Sequence, residues 1–242
     1  CGADHRAEFG LFLQERNKPR CAIVGNQLTA ITEPIKGRRP KIHKKRLLII
    51  SFGNLAHYRG SRVTACDQYI VTMFSLAKKL ASEGWSICYR GHPGHPLALE
   101  KRLATDMGVS NIIHWDTKRS FFESLLAHDV VVCSNSSVYY QALYAGWPCV
   151  FYEPDYLPKG NEDELFTLGP LIGLPIAKDI LRPVTSCPET LGRLVRDTVD
   201  PQSFSSRFPK ILMEHYAERF FGPNPSDPIS EVVGFIRNDT VR

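Results

Sequence analysis

Several signatures are missing from this chain of 242 residues, and each absence excludes a class. There is no G-x-G-x-x-G, no P-loop lysine motif and no G-x-S-x-G elbow, which argues against a dehydrogenase, a P-loop ATPase and an α/β-hydrolase. No apolar run approaches the roughly 18 residues that a membrane span needs. The seven cysteines form no C-x-x-C and no Cys/His array at zinc spacing. Cys21, Cys88, Cys133 and Cys149 fall inside predicted strands, where a small buried thiol is the simplest reading. These absences lead us to expect a reduced, cytoplasmic compartment. The chain begins at Cys1 rather than Met, which is expected of a piece of a longer protein.

What is present is an alternation. The predicted strands are Leu47–Phe52, Trp85–Arg90, Asn111–Trp115, Val130–Cys133 and Cys149–Tyr152, after a shorter one at Cys21–Val24. Helical periodicity fills the intervals at about 65–83, 97–107, 119–127 and 138–145. That order predicts an α/β fold, a Rossmann-like doubly wound parallel sheet. Residues 1–20 read as the tail of something preceding, 21–222 as the nucleotide-binding domain, and 223–242 as a C-terminal helix with Ser226 or Asp227 as its cap. The segment from Leu157 to Pro188 is rich in Gly and Pro and reads as loop. Helices at about 189–198 and 208–220 follow.

The central feature is Val130 to Pro148: a β-branched strand, the turn Ser134-Asn135-Ser136-Ser137, and a helix that stops at Gly146 and Pro148. Ser134 is expected to cap the helix, with Ser136 and Ser137 in its first turn. A helix start carrying hydroxyls at a strand's carboxyl end suits a phosphate. Taken alone, the same residues serve equally well as caps and turn formers.

The neighbouring loops favour the phosphate. Arg90-Gly91-His92-Pro93 ends one strand: Arg90 can fork onto a phosphate, and His92 can hydrogen-bond or protonate a departing one. Gly53 lets backbone approach a ligand closely, although it also serves as a plain turn glycine. Glu153, one strand beyond the serines, is either a ribose-binding acid or a surface charge. His95 reads as an inert turn residue. The run from Lys36 to Arg46 places seven Lys or Arg in eleven positions, a solvated linker or a contact with anionic lipid. It lacks the aromatics of a nucleic-acid platform, so no nucleic acid partner is expected. The net charge of +5 suits an anionic ligand.

Together, a strand ending in Ser51-Phe52-Gly53, Arg90-x-His92-Pro93, Ser134-x-Ser136-Ser137, Gly146-x-Pro148 and Glu153-Pro154 resemble the C-terminal donor-nucleotide domain of two-domain (GT-B) glycosyltransferases. The bacterial surface-polysaccharide enzymes are the most similar in feel: capsule transferases for sialic acid and Kdo, and CDP-glycerol glycerophosphotransferases. The resemblance implies a donor linked to CMP or UDP, gripped by His92, Ser134, Ser136 and Ser137, with Glu153 on the ribose. It implies a glycan acceptor, an N-terminal acceptor domain that holds the base, and no metal or other cofactor. Peripheral contact with the inner membrane would fall on residues 36–46. The glycerophosphotransferases carry Asp-Tyr-Ser-Ser where this chain has Ser134-Asn135-Ser136-Ser137, which favours a nucleotide sugar over CDP-glycerol. Many relatives have Glu where this chain has Gln141. Two alternatives are a UDP-sugar 2-epimerase-like enzyme and a non-catalytic nucleotide-binding or membrane-docking domain of the same fold.

Overall fold

The structure is a computed structural model. It describes residues 32–39, 44–51, 62–93, 97–134, 136–152 and 183–217, with isolated positions at 221, 227, 230 and 233; for 62–67 only the backbone is described. The expected strand near residue 21, the sites Gly53 and Glu153, and His95 lie outside the described residues.

Among the described residues, six strands form one parallel sheet. In chain order they are β1 (Arg46–Ile50), β2 (Ser86–Arg90), β3 (Ile113–Trp115), β4 (Val130–Cys133), β5 (Cys149–Tyr152) and β6 (Val184–Thr185). The helices are α1 (Arg62–Ser82), α2 (Ala98–Asp106), α3 (Phe121–Ala127), α4 (Val138–Ala145), α5 (Pro188–Asp197) and α6 (Phe204–His215). Spatial strand order is β3-β2-β1-β4-β5-β6, and every pairing is parallel. This is the Rossmann-like doubly wound sheet.

The strands read as continuous apolar runs because both faces are covered. Leu47 and Ile49 of β1 join Val130, Val132, Ile87 and Tyr89 in a core with Tyr69, Met73, Phe74 and Leu80 of α1 and Leu191 and Val195 of α5. Leu48 and Ile50, pointing the opposite way, join Val131, Cys133 and Phe151 with Tyr139, Leu143 and Trp147 around α4, and Phe208 and Leu212 of α6. Each such side chain contributes roughly 1.5–3 kcal/mol on burial, so the two faces carry comparable driving force. Two large polar side chains inside the core are matched: the Tyr69 hydroxyl donates to the Ile50 carbonyl at 2.7 Å, and the Trp147 indole N–H to the His128 carbonyl at 3.0 Å.

The amino end of the sheet is pinned by an ion pair whose carboxylate is buried and whose arginine is partly exposed. Arg46, at the start of β1, forks onto Asp129, just before β4, at 3.2 and 2.9 Å. The same carboxylate accepts from the backbone N–H groups of Lys44 and Arg46 at 3.0 and 2.9 Å. Burial alone would raise the Asp129 carboxyl, but the Arg46 hydrogen bonds outweigh it and hold the group below the usual range. Lys45 donates to the Glu83 carbonyl, and Lys36 to the Tyr144 hydroxyl, with its ammonium 4.4 Å from the Tyr144 ring centre. Several members of the basic run are thus fastened to the fold.

Three expectations change. β6 lies in the segment read as loop, and α6 starts at Phe204 rather than near 208, because Ser203 accepts from the Ser206 N–H at 3.1 Å and caps it earlier. The third concerns the serines and belongs with the site.

Candidate functional site

In a parallel sheet all strands deliver their loops to one edge, and in this strand order the chain turns in opposite directions after β1 and after β4. In open sheets of this kind the ligand crevice falls between two such carboxyl ends. Ser51 follows β1 there, and Ser134–Ser137 follow β4.

The serine turn departs from the expected cap. α4 begins at Val138, so Ser137 occupies the N-cap and Ser134 and Ser136 precede the helix. Ser137 has helical backbone angles, φ −58° and ψ −20°, and its side chain makes no capping hydrogen bond. A capping hydroxyl normally hangs from extended backbone, which turns it back onto the first-turn amides. Ser120 at α3 and Ser203 at α6 do this, with ψ of 156° and 152°. In the serine turn the Ser136 hydroxyl instead accepts from the Val138 N–H at 3.3 Å. Ser134 is buried, Ser136 half-buried and Ser137 exposed, so the hydroxyls run from the core to the open edge. The helix ends as expected: Gly146 takes φ 93°, a left-handed value that other residues adopt only at a cost.

Two strands away, β2 ends in Arg90. Its guanidinium is held rather than loose: Nη1 donates to Asp116 at 2.6 Å, to the Ser124 hydroxyl at 2.9 Å and to the Lys118 carbonyl at 3.1 Å. Asp116 Oδ2 also accepts from Ser124, and Oδ1 from the Lys118 N–H at 3.0 Å. Burial works to raise the Asp116 carboxyl, but hydrogen bonds from Ser124 and Arg90 hold it below the ordinary range. Arg90, Gly91, His92, Pro93, Leu97, Asp116, Lys118 and Arg119 line a cleft of about 290 Å³, with His92 exposed at it. A side chain at Gly91 would press on Leu97: a Cβ there would stand 2.6 Å from Leu97 Cδ2 and 2.9 Å from its Cγ, so that leucine would have to shift.

The structure therefore brings Arg90 and His92 together on one cleft, and places Ser134, Ser136 and Ser137 at the crevice between β1 and β4. Sequence reasoning missed Asp116, Lys118, Arg119 and Ser124. The available signal was position: Asp116–Ser120 is the loop at the carboxyl end of β3, and Asp116 follows the register that pairs Tyr89 with Trp115. It also missed Glu100, a buried carboxylate of α2 that accepts from the Ser51 hydroxyl at 3.3 Å beneath the same edge. Among the described residues, no three His, Cys, Asp or Glu side chains gather into a group fit for a metal ion. Among them too, no helix is long and apolar enough to cross a membrane.

No family model matches the chain, and no curated protein matches it. Solved structures do match. A variant of the wall teichoic acid polymerase TagF, soaked with CDPG for 30 minutes, aligns at TM-score 0.50 and 15% identity over 100% of this chain and 57% of that chain. TagF without those changes aligns at TM-score 0.45 and 14% identity, over 89% of this chain and 48% of that one. The chain spans about half the length of the solved chains it matches. At such identities the likeness is one of fold.

Proposed function

We propose that this chain is the donor-nucleotide half of a glycosyltransferase that extends a cell-surface polymer. The observation that carries the reading is the serine turn: it lies at the crevice where the sheet order reverses, and Ser137 leaves its hydroxyl out of the capping role that Ser120 and Ser203 perform. Open α/β sheets bind nucleotides at that crevice, with phosphate at a helix start. The fold shared with a wall teichoic acid polymerase accords with this, as does the motif order of the sequence.

In this reading a CMP-, CDP- or UDP-linked donor seats its phosphate against Ser134, Ser136 and Ser137. The α4 dipole and the hydroxyls offset the charge that develops as the nucleotide leaves, a stabilisation that needs no bound metal. His92 reaches over from β2 to donate a hydrogen bond or a proton to the leaving phosphate oxygen. Gly53 and Glu153 are proposed to meet the phosphate and the ribose. The acceptor is a glycan hydroxyl, and the base that deprotonates it belongs to an N-terminal acceptor domain. A nucleotide sugar remains the favoured donor, because the serine turn lacks the acid of the glycerophosphotransferases.

Calorimetry with CMP, CDP and UDP tests this. One of them binds, and Ser136→Ala/Ser137→Ala weakens it by about tenfold or more, the usual loss when charge-assisted hydrogen bonds go. If none of the three binds the intact chain, the proposal fails.

A further inference from the structure

Among the described residues, three carboxylate side chains lie buried around the sheet, and two of them are well supplied with donors. Asp129 accepts from Nε and Nη2 of Arg46 and from the N–H groups of Lys44 and Arg46. Asp116 accepts from Arg90, from Ser124 and from the Lys118 N–H. Glu100 of α2 differs. It is 5% exposed, and among the described residues its one partner is the Ser51 hydroxyl at 3.3 Å, with no cation paired to it. A carboxylate offers about four lone-pair sites, and a buried one left short of donors is costly. Its position gives the shortage a meaning. The β1–β4 register sets Leu47 beside Val130 and Ile49 beside Val132, and those four side chains share the face that α1 covers. Carried on two residues, the same register sets Ser51 beside Ser134 on that face, both buried, with Glu100 against Ser51. Neighbouring strands lie about 4.8 Å apart, so the carboxylate stands about one strand over from the serine turn.

We propose that Glu100 accepts a hydrogen bond from a hydroxyl of the group that the donor nucleotide carries, a sugar or polyol, and so helps to select it. The proposal deepens the donor-nucleotide reading and rests on it. Charge decides the class of contact. A carboxylate repels phosphate, so Glu100 is not one more phosphate ligand, whereas a ligand O–H supplies the missing donor without adding charge. Strand order decides which part of the donor is met. β4 lies between β1 and β5, and Glu153, which follows β5 in the chain, is proposed to meet the ribose. With the phosphate on the turn after β4 and the ribose toward β5, the transferred group, bonded to that phosphate, falls toward β1 and Glu100.

Calorimetry with bare and loaded nucleotides tests this: UDP against UDP-glucose, CDP against CDP-glycerol, and CMP against CMP-N-acetylneuraminate. Glu100→Gln keeps the shape of the side chain and an oxygen for Ser51 but gives up the charge. It is expected to weaken binding of the loaded form by about tenfold, the loss of one hydrogen bond to a charged group, and to leave the bare form unchanged. Glu100→Asp, which keeps the charge but withdraws it by one methylene, is expected to lose the loaded form as well. An unchanged affinity for the bare nucleotide also shows that each variant is folded with its phosphate site intact, an outcome that a purely structural Glu100 does not give. Three results overturn the inference and leave the donor reading standing: equal losses for bare and loaded forms, no loss for either, or an intact chain that takes a bare nucleotide and none of the loaded ones. An intact chain that binds neither bare nor loaded nucleotide sinks the donor reading, and this inference with it.

Discussion

Removing the Asp129 carboxylate is expected to cost more than removing its arginine. Asp129, with a side chain only 3% exposed, satisfies four donors: Nε and Nη2 of Arg46 and the backbone N–H groups of Lys44 and Arg46. Asp129→Ala strands all four at the start of a central strand. Breaking a buried pair on one side costs about 3–5 kcal/mol, out of a total stability of about 5–15. For a chain of this size that lowers the melting temperature by about 6–20 °C. Arg46→Met removes a side chain that is 26% exposed and leaves the carboxylate its two backbone donors, so its loss is smaller. The double variant does not recover stability, because the backbone donors remain orphaned. Circular-dichroism melts of the three variants check this. A loss of under about 1 kcal/mol in Asp129→Ala, or a double variant more stable than Asp129→Ala by the full cost of Arg46→Met, would refute the reasoning and return the basic run to the role of a solvated linker.

Acid should destabilise the fold in two stages. His128 is pushed down by burial, so its stability contribution is full above its unfolded pKa of about 6.5 and shrinks below it; Asp129 and Asp116 are also held low, so theirs shrinks as pH falls below about 4. A melting temperature that is flat from pH 7 to pH 3 would contradict this. Gly91→Val should weaken nucleotide binding and cost about 1–3 kcal/mol, since its side chain must displace Leu97 beneath the His92 loop; thermal melts and calorimetry on one preparation give both numbers. Thiol labelling followed by mass spectrometry should modify Cys187 in the native state before Cys88, Cys133 or Cys149. Burial pushes the Cys88 thiol up to about 11, Cys133 and Cys149 are enclosed with sulfurs 3.4 Å apart, and Cys187 is half-exposed.

Local chemistry made most of the fold legible. The apolar runs of β1, β2, β4 and β5 are strong because both sheet faces are covered, and Gly146 stops α4 where its backbone freedom is needed. β6 is only two residues long, too short for any period to show. Pro209 resembles a helix start but lies inside α6, whose true cap is Ser203. Position along the chain was legible too: Arg90, His92 and the serines stand at strand ends, as expected. The site was not legible where the partner arrives through the sheet. Arg90 and Asp116 lie 26 residues apart and meet through the β2–β3 register, and Arg46 and Asp129 lie 83 apart. The side-chain role of Ser137 also eluded the sequence, because a cap is decided by one ψ angle rather than by residue type.

The central claim is that a nucleotide's phosphate rests on the turn between β4 and α4. A crystal structure of the chain with whichever of CMP, CDP or UDP binds in calorimetry tests it most directly. The account predicts phosphate oxygens within hydrogen-bond distance of the Ser136 and Ser137 hydroxyls. A nucleotide bound with its phosphate elsewhere on the molecule, and those hydroxyls untouched, would contradict it.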